Sequence, residues 1–197
     1  NTAIVVVDTG ATACWTYQAF ERKQQTIFTD GGCSSMGYSL PAAIGAKIQS
    51  PNLDVYCIIG DGGFLVNLQE LQTIINYKLN IKIIVFNNKG YGIIKQFQDS
   101  YLKSRYIAVG EEGGHPDLGA LTKSIGLRYH RVVKIEDLQK NLFDGQEASL
   151  IEIVIDPNTP IEPKLEMGRP INDQFPYLDD EEFKIGNKFI SYERKKH

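Results

Sequence analysis

The stretch Val55-Tyr56-Cys57-Ile58-Ile59-Gly60-Asp61-Gly62-Gly63-Phe64-Leu65 decides the fold. Its first five residues form an apolar run too short for a helix, which reads as a buried strand. Glycines stop the run, and Leu65, Leu68, Leu71 and Ile75 then follow at helical spacing. Strand, tight turn and helix in that order make half of a βαβ unit.

Outward from this stretch the same pattern repeats. Short apolar runs at Ile4–Val7, Thr26–Thr29, Ile81–Phe86 and Leu150–Ile155 predict further strands beside Val55–Ile59. Helical spacing is found in Ala13–Phe20, Gly37–Ile48, Leu65–Leu79, Asp117–Ile125 and Ile135–Phe143. Such alternation predicts an α/β domain, a doubly wound and mostly parallel sheet with helices on both faces. Ligands of such sheets bind beyond the carboxyl ends of the strands. The residues to read are therefore Asp8-Thr9-Gly10, Asp30-Gly31-Gly32, Gly60-Asp61-Gly62-Gly63 and Asn87-Asn88-Lys89-Gly90.

A chain of 197 residues with 42% hydrophobic content can bury the core of one such domain. After Ile155, Pro157, Pro160, Pro163, Pro170 and Pro176 disfavour regular structure. The expected division is a domain over residues 1–163 and an irregular arm or lid over 164–197, whose acidic Asp179–Glu182 run and basic Arg194–Lys196 end read as solvated. The net charge of -3 lacks the basic footprint of a nucleic-acid binder, and no apolar run is long enough to cross a bilayer. Without a signal-peptide pattern, the expectation is a cytoplasmic protein. Cys14, Cys33 and Cys57 are odd in number and in no CxxC pair, so they are expected to be buried free thiols. The chain starts without Met and almost at once enters a strand, which reads as an excised domain or one subunit of a split enzyme.

The chemistry lies in the glycine-rich turn. Glycines admit close backbone approach, and a helix start offers unpaired N–H groups to an anion, so a phosphate fits there. Asp61 would repel that phosphate unless a hard cation such as Mg²⁺ stood between them. The next strand ends in Asn87-Asn88-Lys89-Gly90, and a helical crossover returns it to the same sheet edge. Asn88 is neutral, so with Asp61 it leaves the ion enough positive charge to hold a diphosphate, and the Gly90 carbonyl supplies a third ligand. An Asp-Gly turn or an Asn-Asn pair alone is ordinary loop chemistry. Their occurrence at consecutive strand ends is not. No GxGxxG follows the first strand and no GxxxxGK[ST] is present, which disfavours dinucleotide and P-loop sites.

With those motifs in place, the chain resembles the C-terminal cofactor domain of thiamine-diphosphate enzymes, in particular the acetohydroxyacid (acetolactate) synthase group. The likeness runs from about Ile4 to Pro163. It is carried by Asp30-Gly31-Gly32, Met36-Gly37-Tyr38-Ser39-Leu40-Pro41-Ala42-Ala43-Ile44-Gly45-Ala46, Gly60-Asp61-Gly62, Asn87-Asn88 and Gly92-Ile93-Ile94-Lys95-Gln96-Phe97. The resemblance implies thiamine diphosphate and Mg²⁺ as cofactors, with Asp61, Asn88 and the Gly90 carbonyl on the metal. It places Gly10, Ala11, Thr12, Gly62 and Gly63 at the diphosphate and Ser34 and Met36 at the aminopyrimidine. Met36 would be the apolar wedge that folds the cofactor into a V; otherwise it reads as a core methionine. Ile93 and Ile94 would line the thiazolium side, with Tyr91 and Gly92 as further cofactor contacts.

The implied activity is decarboxylation of a 2-oxo acid such as pyruvate, followed by ligation to a second carbonyl. The alternatives are a simple decarboxylase of the same superfamily, or a non-catalytic module that senses a diphosphate. A metal-dependent phosphotransferase would need an acid/base group that the sequence does not show beside the metal. In the family an activating glutamate comes from a pyrimidine-binding domain, and none of Glu21, Glu70, Glu111 or Glu112 stands in its context. Half an active site, a partner domain and a homodimer or tetramer follow, with FAD, if used, bound outside this chain. Departures from the synthase pattern are Phe97 where the family usually has Trp, Ser34-Ser35 before Met36, and Thr12-Ala13-Cys14. Phe97 therefore leaves the acceptor open. His115 reads as a loop residue before a helix capped near Asp117, His130 and His197 lack catalytic partners, and Trp15 reads as core packing.

Overall fold

The computed structural model describes residues 2–110, 114–186 and 188. Its strands are β1 (Ala3–Val7), β2 (Thr26–Phe28), β3 (Asp54–Gly60), β4 (Ile81–Asn87), β5 (Arg128–Val132) and β6 (Ser149–Val154). They pair in parallel in the order β2-β1-β3-β4-β6-β5. The helices are α1 (Ala11–Ala19), α2 (Ser39–Gln49), α3 (Asp61–Val66), α4 (Glu70–Asn76), α5 (Gly92–Tyr101), α6 (Leu118–Ser124) and α7 (Asp180–Gly186).

Continuous apolar strands such as Ala3–Val7 require cover on both faces. One face of the sheet carries Val55, Cys57, Ile59, Ile81, Ile83 and Val85, packed under Leu40 and Ile44 of α2, Leu71 and Ile74 of α4, and Leu118 of α6. On the other face Ile84 and Ile151 meet Leu142 and Phe143, and Trp15 of α1 lies against Phe86 with ring centroids 6.4 Å apart. The doubly wound parallel sheet expected from the alternation is the observed one. β1 sends one connection to β2 and the next crossover passes to β3 on its other side, which opens a crevice at the carboxyl ends of β1 and β3.

The structure corrects several local expectations. β5 was not foreseen because its sequence, Arg-Tyr-His-Arg-Val, is charged; it lies at the sheet edge, where charge is tolerated. The helix expected over Leu65–Leu79 starts earlier and is broken into α3 and α4, with the Asn67 side-chain amide drawn across to donate to the Gly37 carbonyl at 2.9 Å. Ile135–Phe143 forms two short 3-10 turns, Ile135–Asp137 and Lys140–Phe143. There Asp137 accepts the N–H groups of Val133 and Lys134, a local bond that competes with a continuous helix. Among the cysteines, all free, only Cys57 is buried; Cys33 is exposed in the turn after β2 and Cys14 is intermediate.

By contacts the chain divides into two units at Thr159–Pro160. The second unit has more structure than an irregular arm. Lys164 and Phe175 exchange both backbone hydrogen bonds, at 2.7 and 2.8 Å. Arg169 pairs with Asp173 and stacks 4.1 Å over the Tyr177 ring. The acidic run is exposed, as read, and also starts a helix: Asp179 accepts the N–H groups of Glu181 and Glu182, both at 2.9 Å, ahead of α7. The Arg194–Lys196 run, Glu111, Glu112 and His197 lie outside the described residues.

Ile83 is fully buried at the centre of β4, whereas Ile48 at the end of α2 is 59% exposed. Ile83→Ala is expected to cost about 3 kcal/mol of unfolding free energy through lost burial and a residual cavity. Ile48→Ala is expected to cost about 0.5 kcal/mol or less, urea titration of both variants being the check.

Candidate functional site

Four chain segments meet at the crevice. The first follows β1, where Gly10 (φ 76°) turns the chain into α1 in a conformation that L side chains rarely adopt. The second joins β3 directly to α3, so that Asp61 is the first helical residue after Gly60. The third follows β4 and runs from Asn88 to the start of α5. The fourth, Ser34–Gly37, leads into α2.

Register explains the meeting of the two central segments. β3 and β4 are paired neighbours with Gly60 opposite Phe86, so Asp61 and Asn88 emerge at adjacent strand ends. Together the four segments line a cavity of about 240 Å³. Every residue singled out from the sequence as a cofactor or metal contact lies in its wall: Gly10, Ala11, Thr12, Ser34, Met36, Asp61, Gly62, Gly63, Asn88, Gly90, Tyr91, Gly92, Ile93 and Ile94. Asp8, Thr9, Trp15 and Gly60 complete the lining. Trp15 thus faces the cavity as well as packing on Phe86, which the core-packing reading did not include. Glu21 and Glu70 do not line it.

Asp61 is 5% exposed. Its Oδ1 accepts the Gly62 N–H at 2.7 Å and its Oδ2 accepts the Gly90 N–H at 3.0 Å, which ties the β3 turn to the β4 loop. Burial is the largest influence on its carboxyl and pushes its pKa up, partly offset by these N–H donors and the His115 ring. His115 Nδ1 stands 3.8 Å from Asp61 Oδ2, and neither ring nitrogen has a hydrogen-bond partner among the described residues. His115 is in a loop, as read, ahead of α6 with Asp117 as its cap, but its place beside Asp61 was not legible in sequence. The two asparagines divide their roles. Asn87 donates to Glu152 at 2.5 Å behind the sheet edge, while Asn88 faces the cavity.

The glycines show how close the walls come. A Cβ on Gly90 would stand 2.2 Å from the Val109 carbonyl oxygen, one on Gly63 2.6 Å from Asp8 Oδ1, and one on Gly92 2.7 Å from the Asn88 amide nitrogen. Opposite this polar end the wall is apolar. Met36, Ile93 and Ile94 are 40%, 41% and 47% exposed, so Met36 is not a core methionine. α5, which carries Ile93 and Ile94, was missed in the sequence, although Ile93, Ile94, Phe97 and Tyr101 have helical spacing; it has no buried residue to anchor its pattern.

One buried carboxylate, Asp61, and one side-chain amide, Asn88, share the glycine-walled cleft, oxygen donors of the kind a hard dication takes. Among the described residues, no group of three His, Cys, Asp or Glu forms a metal site, so any ion here must rely on such neutral oxygens.

Comparison with known proteins bears on the same residues. A model of the thiamine pyrophosphate enzyme C-terminal TPP-binding domain matches residues 8–153. The chain belongs to this family. It is 40% identical over 140 residues to the acetolactate synthase large subunit of Cyanidium caldarium, covering 71% of this chain and 24% of that protein. It is 37% identical over 158 residues to the probable acetolactate synthase large subunit of Methanocaldococcus jannaschii, covering 78% and 27%. To the acetolactate synthase of Arthrospira platensis it is 36% identical over 140 residues, covering 71% and 24%. The chain spans about a quarter of the length of these curated relatives. It is a thiamine-diphosphate-binding domain of the acetolactate-synthase-like kind.

The Gly90 contact gives a sharp test. Gly90→Ala must move either its own loop or the backbone that holds Tyr91 N–H to the Val109 carbonyl at 3.0 Å. A loss of about 1–3 kcal/mol in thermal unfolding is expected, larger than that for alanine at Gly45, which has open space around it.

Proposed function

We propose that this domain grips thiamine diphosphate through Mg²⁺ in an enzyme that decarboxylates a 2-oxo acid such as pyruvate and ligates the product to a second carbonyl. The observation that carries the reading is the convergence of Asp61, Asn88 and Gly90 at two adjacent strand ends, facing an apolar wall of Met36, Ile93 and Ile94. In this reading Asp61, Asn88 and the Gly90 carbonyl hold the metal. Gly10, Ala11, Thr12, Gly62 and Gly63 take the diphosphate, and Ser34 and Met36 take the aminopyrimidine. Tyr91, Gly92, Ile93 and Ile94 line the reacting end and keep water from it. When bound, the cofactor would supply a nucleophilic carbon for chemistry at a 2-oxo group.

The acids in the cavity wall are Asp8 and Asp61, and no glutamate is among the lining residues. That supports a need for a glutamate from a pyrimidine-binding domain, of the same enzyme or of a partner subunit, in a dimer or tetramer. Alone, this domain is then an inactive half-site. The relatives named acetolactate synthase favour carboligation over simple decarboxylation. Phe97, 43% exposed with its ring tilted against Tyr101 at 4.9 Å between centroids, stands where the family's usual Trp bears on acceptor choice. Residues 164–197 are proposed as an arm appended to this domain, FAD as a ligand of other domains, and the cytoplasm as the setting. Among the described residues no helix is long and apolar enough to cross a membrane.

Asp61 tests the metal reading in two directions. Asp61→Ala is expected to abolish Mg²⁺-dependent binding of thiamine diphosphate by titration calorimetry of the whole protein, and unchanged affinity refutes the assignment. The metal-free protein should respond oppositely. Because burial raises the folded-state pKa of Asp61, the folded state binds more protons there than the unfolded chain. Its stability is therefore highest below the unfolded pKa and is lost as pH rises through the raised folded value. Asp61→Asn is expected to stabilise the metal-free protein at neutral pH, on the order of 1 kcal/mol by thermal unfolding. Turnover of pyruvate to acetolactate by the whole protein separates the enzyme from a diphosphate sensor.

A further inference from the structure

Met36 stands in the cavity wall, half-exposed, yet the chain around it is held from several sides. Gly37 is in the left-handed region (φ 77°), and a Cβ there would meet the Asn67 amide, Val66 and the Gly63 carbonyl at 3.0 to 3.1 Å. Asn67 donates to the Gly37 carbonyl at 2.9 Å. On the opposite side two consecutive residues at the end of β1 reach across. The Gly37 N–H donates to Asp8 Oδ1 at 3.1 Å and the Ser39 N–H donates to Asp8 Oδ2 at 2.9 Å. The Thr9 and Ser34 hydroxyls are hydrogen-bonded to each other, with Ser34 also in the left-handed region (φ 55°). Asp8 and Thr9 thus bracket Met36.

Asp8 is 2% exposed, and among the described residues no lysine or arginine pairs with it. A carboxylate so placed needs compensation. It finds it at the start of α2, whose own cap position, Tyr38, makes no side-chain cap bond. The orphan N–H of the first helical residue and the positive end of the helix are satisfied by a side chain from another strand. The Met36–Gly37 peptide is fixed by the other oxygen of the same carboxylate.

We propose that Asp8 is a positioning residue that caps α2 from the end of β1 and so sets where Met36 stands in the cavity. The proposal rests on the thiamine-diphosphate reading, since Met36 acts on that cofactor. The side-chain hydrogen bonds of Asp8 go to the loop behind Met36 and to the start of α2, although its Oδ1 also lies against Gly63. Asp8 should govern how bound cofactor is held for reaction more than how tightly the diphosphate is gripped.

The test is Asp8→Asn in the whole protein, which preserves volume but presents an NH₂ group to one of the two inward N–H donors. In the cofactor-free protein, hydrogen exchange at the Gly37 and Ser39 amides should quicken about tenfold or more, while the amides of β4 keep their protection. In the loaded enzyme kcat should fall about tenfold to a hundredfold, with the KM for thiamine diphosphate held within about threefold. Unchanged exchange at Gly37 and Ser39, unchanged kcat, or a uniform rise in exchange through β4 each overturns the positioning role. Should Asp8→Asn not fold, Thr9→Val removes the Ser34 bond without touching a buried charge. It should give the same split between kcat and KM, and an unaltered kcat there overturns the bracket. Failure of the wild-type protein to take up thiamine diphosphate with Mg²⁺ overturns the cofactor reading, and the role of Met36 with it. Intact uptake with an unaltered Asp8→Asn enzyme overturns the positioning role alone.

Discussion

The buried Asp61 carboxylate is the constraint around which the site is arranged. A carboxylate 5% exposed carries a desolvation cost that two backbone N–H groups offset only in part, as the upward shift of its pKa shows. The same two bonds couple the β3 turn to the β4 loop, so the groups that would hold a metal are already tied to one another. Preorganisation of this kind exchanges stability of the empty protein for precision of the filled one.

Close backbone approach is the second demand. Gly63, Gly90 and Gly92 each lie where one added carbon would strike a neighbouring wall at 2.2 to 2.7 Å. These contacts explain why the loops are glycine-rich in physical terms: Gly90 faces the Val109 main chain, and Gly63 and Gly92 face the Asp8 and Asn88 side chains, too closely for a Cβ to fit. The apolar wall is made differently. Met36, Ile93 and Ile94 are carried on a held loop and an exposed helix and remain open. The cavity has a polar floor and an apolar side of half-exposed side chains.

Two devices that serve this arrangement come from distant parts of the chain. Asp8 caps α2 across 31 residues, and Asn67 holds Gly37 across 30. Both act on the short loop that carries Met36. The break between α3 and α4, which looks like a defect in a long helix, goes with the second of these. Asn67 faces Gly37 at the point where the helix stops.

The sequence by itself determined the strand and helix alternation, the parallel sheet and the loops that carry the site. Period, run length and glycine punctuation are local properties, and Gly60-Asp61-Gly62 with Asn87-Asn88 is a local motif. The lining of the cavity was legible to the same degree, because in a parallel sheet the residues after each strand share one edge. Tertiary structure decided what local pattern cannot encode. The charged edge strand β5 and the exposed helix α5 have no buried face to mark them. The split of Leu65–Leu79 comes with a side chain reaching another element. Asp8 ends a strand in the sequence, and its bond to the start of α2, a helix without a side-chain cap of its own, exists only in the folded chain. His115 looked like a loop histidine and is one, yet folding brings it within 3.8 Å of Asp61. Side-chain reach between segments, unlike periodicity, depends on distances that exist only once the chain has folded.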